Sequence, residues 1–156
     1  TEGHIDQSLF ARSILDEKNG PPPEINLFNE KNIGETLLKL INNKLIKSAH
    51  DVSLGGIITA VSKMCIKGNK GINLEKPNFL INEIEYFFAE DQGRYIVEVG
   101  KKDFKKVTDI LNKNAVHFDK LGVINENELY INEKTKVTID ELKSYNNTWL
   151  INYMSS

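Results

Sequence analysis

Two short segments carry the residue types that chemistry needs. The first is His50-Asp51-Val52-Ser53-Leu54-Gly55-Gly56. It reads as the end of a strand, a Gly-Gly turn and the start of a helix. Backbone N–H groups at a helix start lack intrahelical partners and carry positive partial charge, so they can hold an anion. Glycines let a phosphate approach the backbone closely. Asp51 can cap the helix or offer an oxygen to Mg²⁺, and His50 can donate to a phosphate. The same residues also suit a plain structural role, with Asp51 or Ser53 as N-cap and Gly55-Gly56 as a tight turn. The spacing is not that of the Gly-x-Gly-x-x-Gly nucleotide fingerprint.

The second segment is Glu90-Asp91-Gln92-Gly93-Arg94. Two carboxylates, an amide and an arginine share one turn between apolar runs, a set that can recognise a polar ligand. It can equally be a solvated hairpin loop in which Arg94 pairs with Glu90 or Asp91, a contact worth about 0–1 kcal/mol when exposed. Lys supplies 18 of the 20 basic residues, leaving only Arg12 and Arg94 as arginine. A retained guanidinium fork merits notice because it binds carboxylate or phosphate bidentately and an ammonium does not. His4 and His117 stand alone, and no His/Cys/Asp/Glu set has zinc spacing. Cys65 falls on an apolar helical stripe, the setting of a small core residue rather than a nucleophile.

Several elements must position these segments. Gln7 to Leu15 suits a short helix, and Gly20-Pro21-Pro22-Pro23 a stiff connector without regular structure. The stripe Ile33, Leu37, Leu40, Ile41 predicts a helix capped by Asn29 or Asn32. Leu45 to Ala49 reads as a buried strand leading into the first segment, and Ile57, Ile58, Val61, Met64, Cys65 as the helix leaving it. Strands are expected at Ile72–Leu74, Ile84–Phe88, Tyr95–Val99, Val116–Ile124 and Glu128–Ile131. Asp103 to Leu111 is expected to be helical. So is a last stretch capped by Asp140 that carries Leu142, Tyr145, Trp149, Leu150 and Tyr153, with Trp149 as a core anchor. Interleaved helices and strands predict an α/β (α+β) sandwich, a mixed sheet with helices packed on its faces.

The 156 residues, with 40% hydrophobic and a net charge of −2, fit one domain (1–156), with residues 1–28 as an N-terminal helix and Pro-rich connector and 29–156 as the sandwich core. Near-neutral charge gives no support to nucleic-acid binding. No apolar run approaches the ~20 residues of a membrane span. One cysteine excludes an internal disulfide and points to a reducing, cytoplasmic setting. A first residue of Thr1 rather than Met suggests a piece of a longer chain. Asn and Ile occur 18 times each, as codon bias in an AT-rich genome would produce.

Ser48-Ala49-His50-Asp51-Val52-Ser53-x-Gly55-Gly56, taken with Glu90-Asp91-Gln92-Gly93-Arg94, resembles the phosphoribosylformylglycinamidine synthase II family, within the aminoimidazole ribonucleotide synthetase-related superfamily. Supporting pieces occur in family order: Thr1-Glu2-Gly3 with Gln7-Ser8-Leu9, Gly20-Pro21-Pro22-Pro23, and Lys120-Leu121-Gly122-Val123-Ile124. The resemblance covers essentially the whole chain and implies the C-terminal module of the second half of a tandem enzyme. One departure is Leu54, where the family usually has Asp.

The resemblance implies de novo purine synthesis. ATP phosphorylates the amide oxygen of formylglycinamide ribonucleotide, and ammonia from a glutaminase partner displaces the phosphate to give the amidine, with Mg²⁺ neutralising phosphate charge. It also implies that His50, Asp51, Ser53, Gly55, Gly56, Glu90, Asp91, Gln92 and Arg94 face an auxiliary ligand or phosphate site, with Asp51 as a possible metal ligand and no catalytic base in this chain. The expected partners are the remaining domains of the same polypeptide and the glutaminase subunit, and a dimer of the isolated chain is possible. An isolated chain is expected to be inactive. Two other readings stay open. One is a self-contained synthetase-like domain with its own phosphate site. The other is a non-enzymatic interaction module using the Pro-rich segment and exposed Tyr86, Phe87 and Phe88.

Overall fold

A computed structural model describes residues 1–75, 81–132 and 134–155. The chain divides into two compact units, Thr1–Ala60 with Leu80–Asp119, and Val61–Phe79 with Lys120–Ser156. Helices and a mixed sheet interleave along it, the α/β composition expected.

In the first unit, α1 (Leu9–Ile14) starts at Ser8, whose buried hydroxyl accepts from the Ala11 N–H. The Pro-rich stretch has no regular structure, yet it folds back. The Gln7 amide donates to the Lys18 carbonyl at 2.8 Å, and the His4 ring lies 3.0 Å from the Pro21 carbonyl oxygen. Helix α2 (Leu27–Asn42) is capped by Asn26, earlier than the expected Asn29 or Asn32. It packs on α5 (Phe104–Lys113) through a core of Leu40, Leu45 and Val107, with Ile46, Val99, Ile110 and Leu111 around it. Burying such side chains stabilises by roughly 1.5–3 kcal/mol each.

Strand β1 (Ser48–Asp51) pairs antiparallel with β3 (Tyr95–Glu98) in a two-stranded ribbon, with Ser48 opposite Glu98 and Asp51 opposite Tyr95. Helix α3 (Gly56–Gly68) follows β1. The expected strand at Ile84–Phe88 is instead helix α4 (Glu83–Phe88). Asn82 accepts from the Glu85 N–H at 2.9 Å while Glu85 accepts from the Asn82 N–H at 3.2 Å, a reciprocal capping box that favours a helix over the strand its apolar run suggests. Tyr86 and Phe87 are consequently buried, at 1% and 3% exposure, which removes them as a docking surface.

In the second unit, β2 (Gly71–Leu74), β4 (Gly122–Asn125), β5 (Glu128–Ile131) and β6 (Thr135–Thr138) form a sheet of order β4-β2-β5-β6. The β2–β5 pair is parallel and the other two pairs are antiparallel, so the sheet is mixed. Of the long strand expected at Val116–Ile124, only the end from Gly122 pairs; β6 was not anticipated. Leu74 and Leu129 are buried at 1% and 2%. The last helix, α6 (Ile139–Ser155), is capped by Thr138 rather than Asp140: the Glu141 N–H donates to Thr138 Oγ1, and Glu141 Oε2 accepts from the Thr138 N–H and hydroxyl. Trp149 is not a core anchor, being 63% exposed.

Candidate functional site

Antiparallel pairing of β1 with β3 brings the two segments together. Ladder hydrogen bonds continue past the strand end, where the Val52 N–H donates to the Arg94 carbonyl at 2.9 Å. Val52 is buried, while Asp51, Ser53 and Leu54 on either side of it face solvent. The chain then turns through Gly55 (φ +81°) and Gly56 (φ +68°), with the Gly56 N–H donating to the Ser53 carbonyl at 3.0 Å. A Cβ on Gly56 would lie 2.6 Å from the Phe87 carbonyl oxygen and 2.8 Å from that of Ala89. Left-handed backbone and this close approach of the end of α4 both require glycine there.

Glu90 links the two segments. Its Oε1 accepts from the Gly55 N–H at 2.8 Å and from the Leu9 N–H at 2.7 Å. Leu9 opens α1 and Gly55 precedes α3, so one carboxylate serves two helix starts at once. The positive end of each helix dipole favours that charge. One of the N–H groups beside that helix start, that of Gly55, therefore already donates to a side chain of the same chain. Glu90 reaches this turn from 35 positions away.

Asp91 ties down the first residues, and Arg94 braces the loop that carries it. Asp91 accepts from the His4 N–H at 3.1 Å through Oδ1 and from the Thr1 hydroxyl through Oδ2. The Glu90 N–H donates to the His4 carbonyl at 3.1 Å. Arg94 donates from Nη2 to the Ala89 carbonyl at 2.6 Å and from Nε to the Asp91 carbonyl at 3.2 Å, and Nη2 lies 3.6 Å from Asp91 Oδ2. The Arg94 and Asp91 side chains are only 15% and 14% exposed, so this is no solvated hairpin pair. Burial pushes the Arg94 pKa below the usual arginine value, while the Asp91 charge pulls it back up. Arg94 Nη1 is buried with no hydrogen-bond partner among the described residues. Burial likewise raises the Tyr86 pKa to about 12, with the Arg94 charge acting in the opposite direction.

His50, Asp51, Ser53 and Gln92 form the outer part of the set. Asp51, Ser53 and Gln92 are exposed, and the His50 side chain is 26% exposed. His50 Nδ1 sits 2.6 Å from the Asp51 carbonyl oxygen and 3.3 Å from Asp51 Oδ1. A carbonyl can only accept, so Nδ1 carries the proton in that contact. Neutral His50 then presents Nε2 as an acceptor, and donating to a phosphate from Nε2 requires a protonated ring. Among the described residues, no group of three or more His, Cys, Asp or Glu side chains is arranged to hold a metal. Asp51 alone is too little for a cation that takes six oxygens, so a magnesium ion here would depend on ligands from elsewhere. A cleft of about 500 Å³ lies beside α1 and α4, lined in part by Phe10, Leu15 and Ile84, and none of the nine candidate residues lines it.

Sequence reasoning missed the contribution of residues 1–9. Thr1, His4 and Leu9 supply the groups that hold Glu90 and Asp91, and no local pattern marks a partnership spanning more than 80 residues.

Residues 6–132 match the family described as AIR synthase related protein, C-terminal domain. Along all 156 residues the chain is 69% identical to the phosphoribosylformylglycinamidine synthase subunit PurL of Pelagibacter ubique, covering 21% of that protein. It is 33% identical over 152 residues to the subunit of the same name from Bartonella quintana, covering 20% of it. The chain thus spans about a fifth of the length of these curated relatives. Among solved structures, T. maritima PurL complexed with FGAR superposes with a TM-score of 0.70 at 22% identity, covering 85% of this chain and 24% of that one. A structure of T. maritima PurL complexed with ATP superposes with a TM-score of 0.65 at 21% identity, covering 90% and 24%.

Proposed function

This chain belongs to the AIR synthase related family, as its C-terminal domain, and we propose that it serves as one module of a phosphoribosylformylglycinamidine synthase. The observation that carries this reading is the union of the two motif segments by the β1–β3 ribbon and the Gly55–Glu90 hydrogen bond. The reaction proposed for the whole protein is that named for its relatives. ATP phosphorylates the amide oxygen of formylglycinamide ribonucleotide, ammonia adds to the activated carbon, and phosphate leaves to give the amidine. The ammonia would come from a glutaminase subunit, and Mg²⁺ would accompany the nucleotide. The setting proposed for that pathway is cytoplasmic; among the described residues no helix is long and apolar enough to cross a membrane.

Within this scheme the nine residues divide into two groups. Gly55, Gly56, Glu90, Asp91 and Arg94 build the turn: they saturate backbone donors, fix the start of α3 and clamp the N-terminal segment. His50, Asp51, Ser53 and Gln92 stand on the exposed rim and are available to a nucleotide or phosphate held mainly by other modules. No residue of this chain is assigned as acid, base or nucleophile. An exposed rim that carries a single carboxylate, Asp51, favours an auxiliary role over a complete site.

The test replaces the matching stretch of the Pelagibacter ubique relative with this chain. The chimera is expected to convert formylglycinamide ribonucleotide with ATP and ammonium, while the isolated chain gives no turnover. Turnover by the isolated chain, or an inactive but folded chimera, overturns the reading.

A further inference from the structure

Asparagine occurs 18 times in the chain but precedes glycine only once, at Asn19-Gly20. Every other asparagine precedes a residue with a side chain. The pair lies between α1 and α2 in a stretch without regular structure, and residues 12–20 are all exposed. Among the described residues nothing accepts from the Gly20 N–H and nothing holds the Asn19 side-chain amide. The backbone on either side is held instead. Gln7 Nε2 donates to the Lys18 carbonyl at 2.8 Å and to the Gly20 carbonyl at 3.3 Å, so one amide chelates the two carbonyls that flank Asn19. Gly20 has φ +108°, and a Cβ built on it would lie 2.6 Å from Asp6 Cγ, so the Asp6 carboxylate sits against this turn.

We propose that Asn19 is a site of spontaneous covalent modification, deamidation through a succinimide, and that its isoaspartate product releases the N-terminal segment. The Gly20 nitrogen gives up its proton to solvent and attacks Asn19 Cγ. A C–N bond forms, the Cγ–NH2 bond breaks, and the NH2 group takes a proton and leaves as ammonia. Water then opens the ring. Cleavage between Cγ and the Gly20 nitrogen gives aspartate, and cleavage between the Asn19 main-chain carbonyl carbon and that nitrogen gives isoaspartate. The balance is one water in and one ammonia out, with no oxidant or reductant. Glycine favours the attack because no Cβ obstructs its nitrogen, and an exposed irregular loop admits water and allows the rearrangement. Isoaspartate adds a carbon to the main chain between the Lys18 and Gly20 carbonyls and sets a new carboxylate near Asp6. Both changes break the Gln7 chelate. The neighbouring tie is the His4 ring at the Pro21 carbonyl, and the His4 backbone bonds to Glu90 and Asp91. Loss of the Gln7 hold therefore loosens the residues that clamp the turn. This chemistry is independent of the reaction proposed for the whole protein.

The test ages the chain, alone and within the chimera described above, at mildly alkaline pH and follows it by mass spectrometry. Cleavage after glutamate yields the peptide Lys18–Glu24, in which Asn19 is the only amide side chain. The expected result is progressive loss of this peptide in favour of two products heavier by the difference between OH and NH2, isoaspartate the larger share, while the other asparagines persist. Hydrogen–deuterium exchange of residues 3–9 is expected to quicken in the aged protein. Asn19→Gln, whose cyclisation would need a six-membered ring, is expected to show neither change. A Lys18–Glu24 segment that stays unmodified in either protein, over a period in which the free synthetic peptide converts, overturns the site. Exchange at residues 3–9 that is unmoved by conversion, or that quickens equally in aged Asn19→Gln, overturns the release.

Discussion

Glu90 concentrates more structural consequence than any other charged residue of the candidate set. Its carboxylate accepts at two helix starts, and hydrogen bonds to a charged group contribute about 1.5–3 kcal/mol each where nothing replaces them. Glu90→Gln keeps the shape and removes the charge, and is expected to destabilise the chain by about 2 kcal/mol in urea unfolding. Asp51→Asn, at an exposed rim position, is expected to stay within about 0.5 kcal/mol of the parent. Gly56→Ala puts a Cβ 2.6 Å from the Phe87 carbonyl at φ +68°, and is expected to cost about 3 kcal/mol or more. At this scale the sequence was legible in part. The residue types in both segments were readable as polar and glycine-rich, and their resemblance to a family pointed to a shared location. The hand-off of the Gly55 N–H to Glu90 was not readable, because a contact across 35 residues leaves no local period.

Capping decides more of the secondary structure than apolar patterning does. The run Ile84–Phe88 alternates poorly and suits a buried strand on composition, yet Asn82 and Glu85 fix a helix. The Asn-x-x-Glu spacing was present in the sequence and outweighed the β propensity of aromatic residues. Asn82→Ala is expected to cost about 1 kcal/mol. Asp103→Ala should cost less, since Asp103 makes no side-chain capping bond to α5; paired thermal melts of the two variants check the contrast. At α6 the Thr138–Glu141 box holds the Glu141 pKa below its ordinary 4.5 through hydrogen bonds from the Thr138 backbone and hydroxyl. A depressed folded-state pKa contributes stability that is present above 4.5 and lost as pH falls through the folded value. Helicity of α6 is therefore expected to fray on acidification, and Glu141→Gln to abolish that pH dependence, as read by amide exchange. The missed strand β6 is four residues long and mixed in polarity, too short for a period of two to stand out.

For the molecule as a whole, interleaved helices and strands announced an α/β fold, but pairing order was beyond reach. Nothing in Gly71–Leu74 reveals that it lies between one parallel and one antiparallel neighbour. Burial is a global property as well. Cys65 is 5% exposed and its pKa is raised to about 11 by desolvation, as its place on an apolar stripe foretold. A thiol so buried is expected to resist a disulfide reagent in the folded chain at neutral pH and to react at once in denaturant. Trp149 shows the opposite lesson: apolar spacing along a helix does not by itself bring a side chain into the core, and this one is 63% exposed.

The central position of β2 constrains how the protein can be made. Both of its neighbours, Gly122–Asn125 and Glu128–Ile131, are synthesised long after it. During translation Ile72 and Leu74 must therefore wait with both strand edges open until residues 122–131 have also left the ribosome, a window in which chaperone binding, or misplaced pairing with another nascent chain, competes with the native sheet.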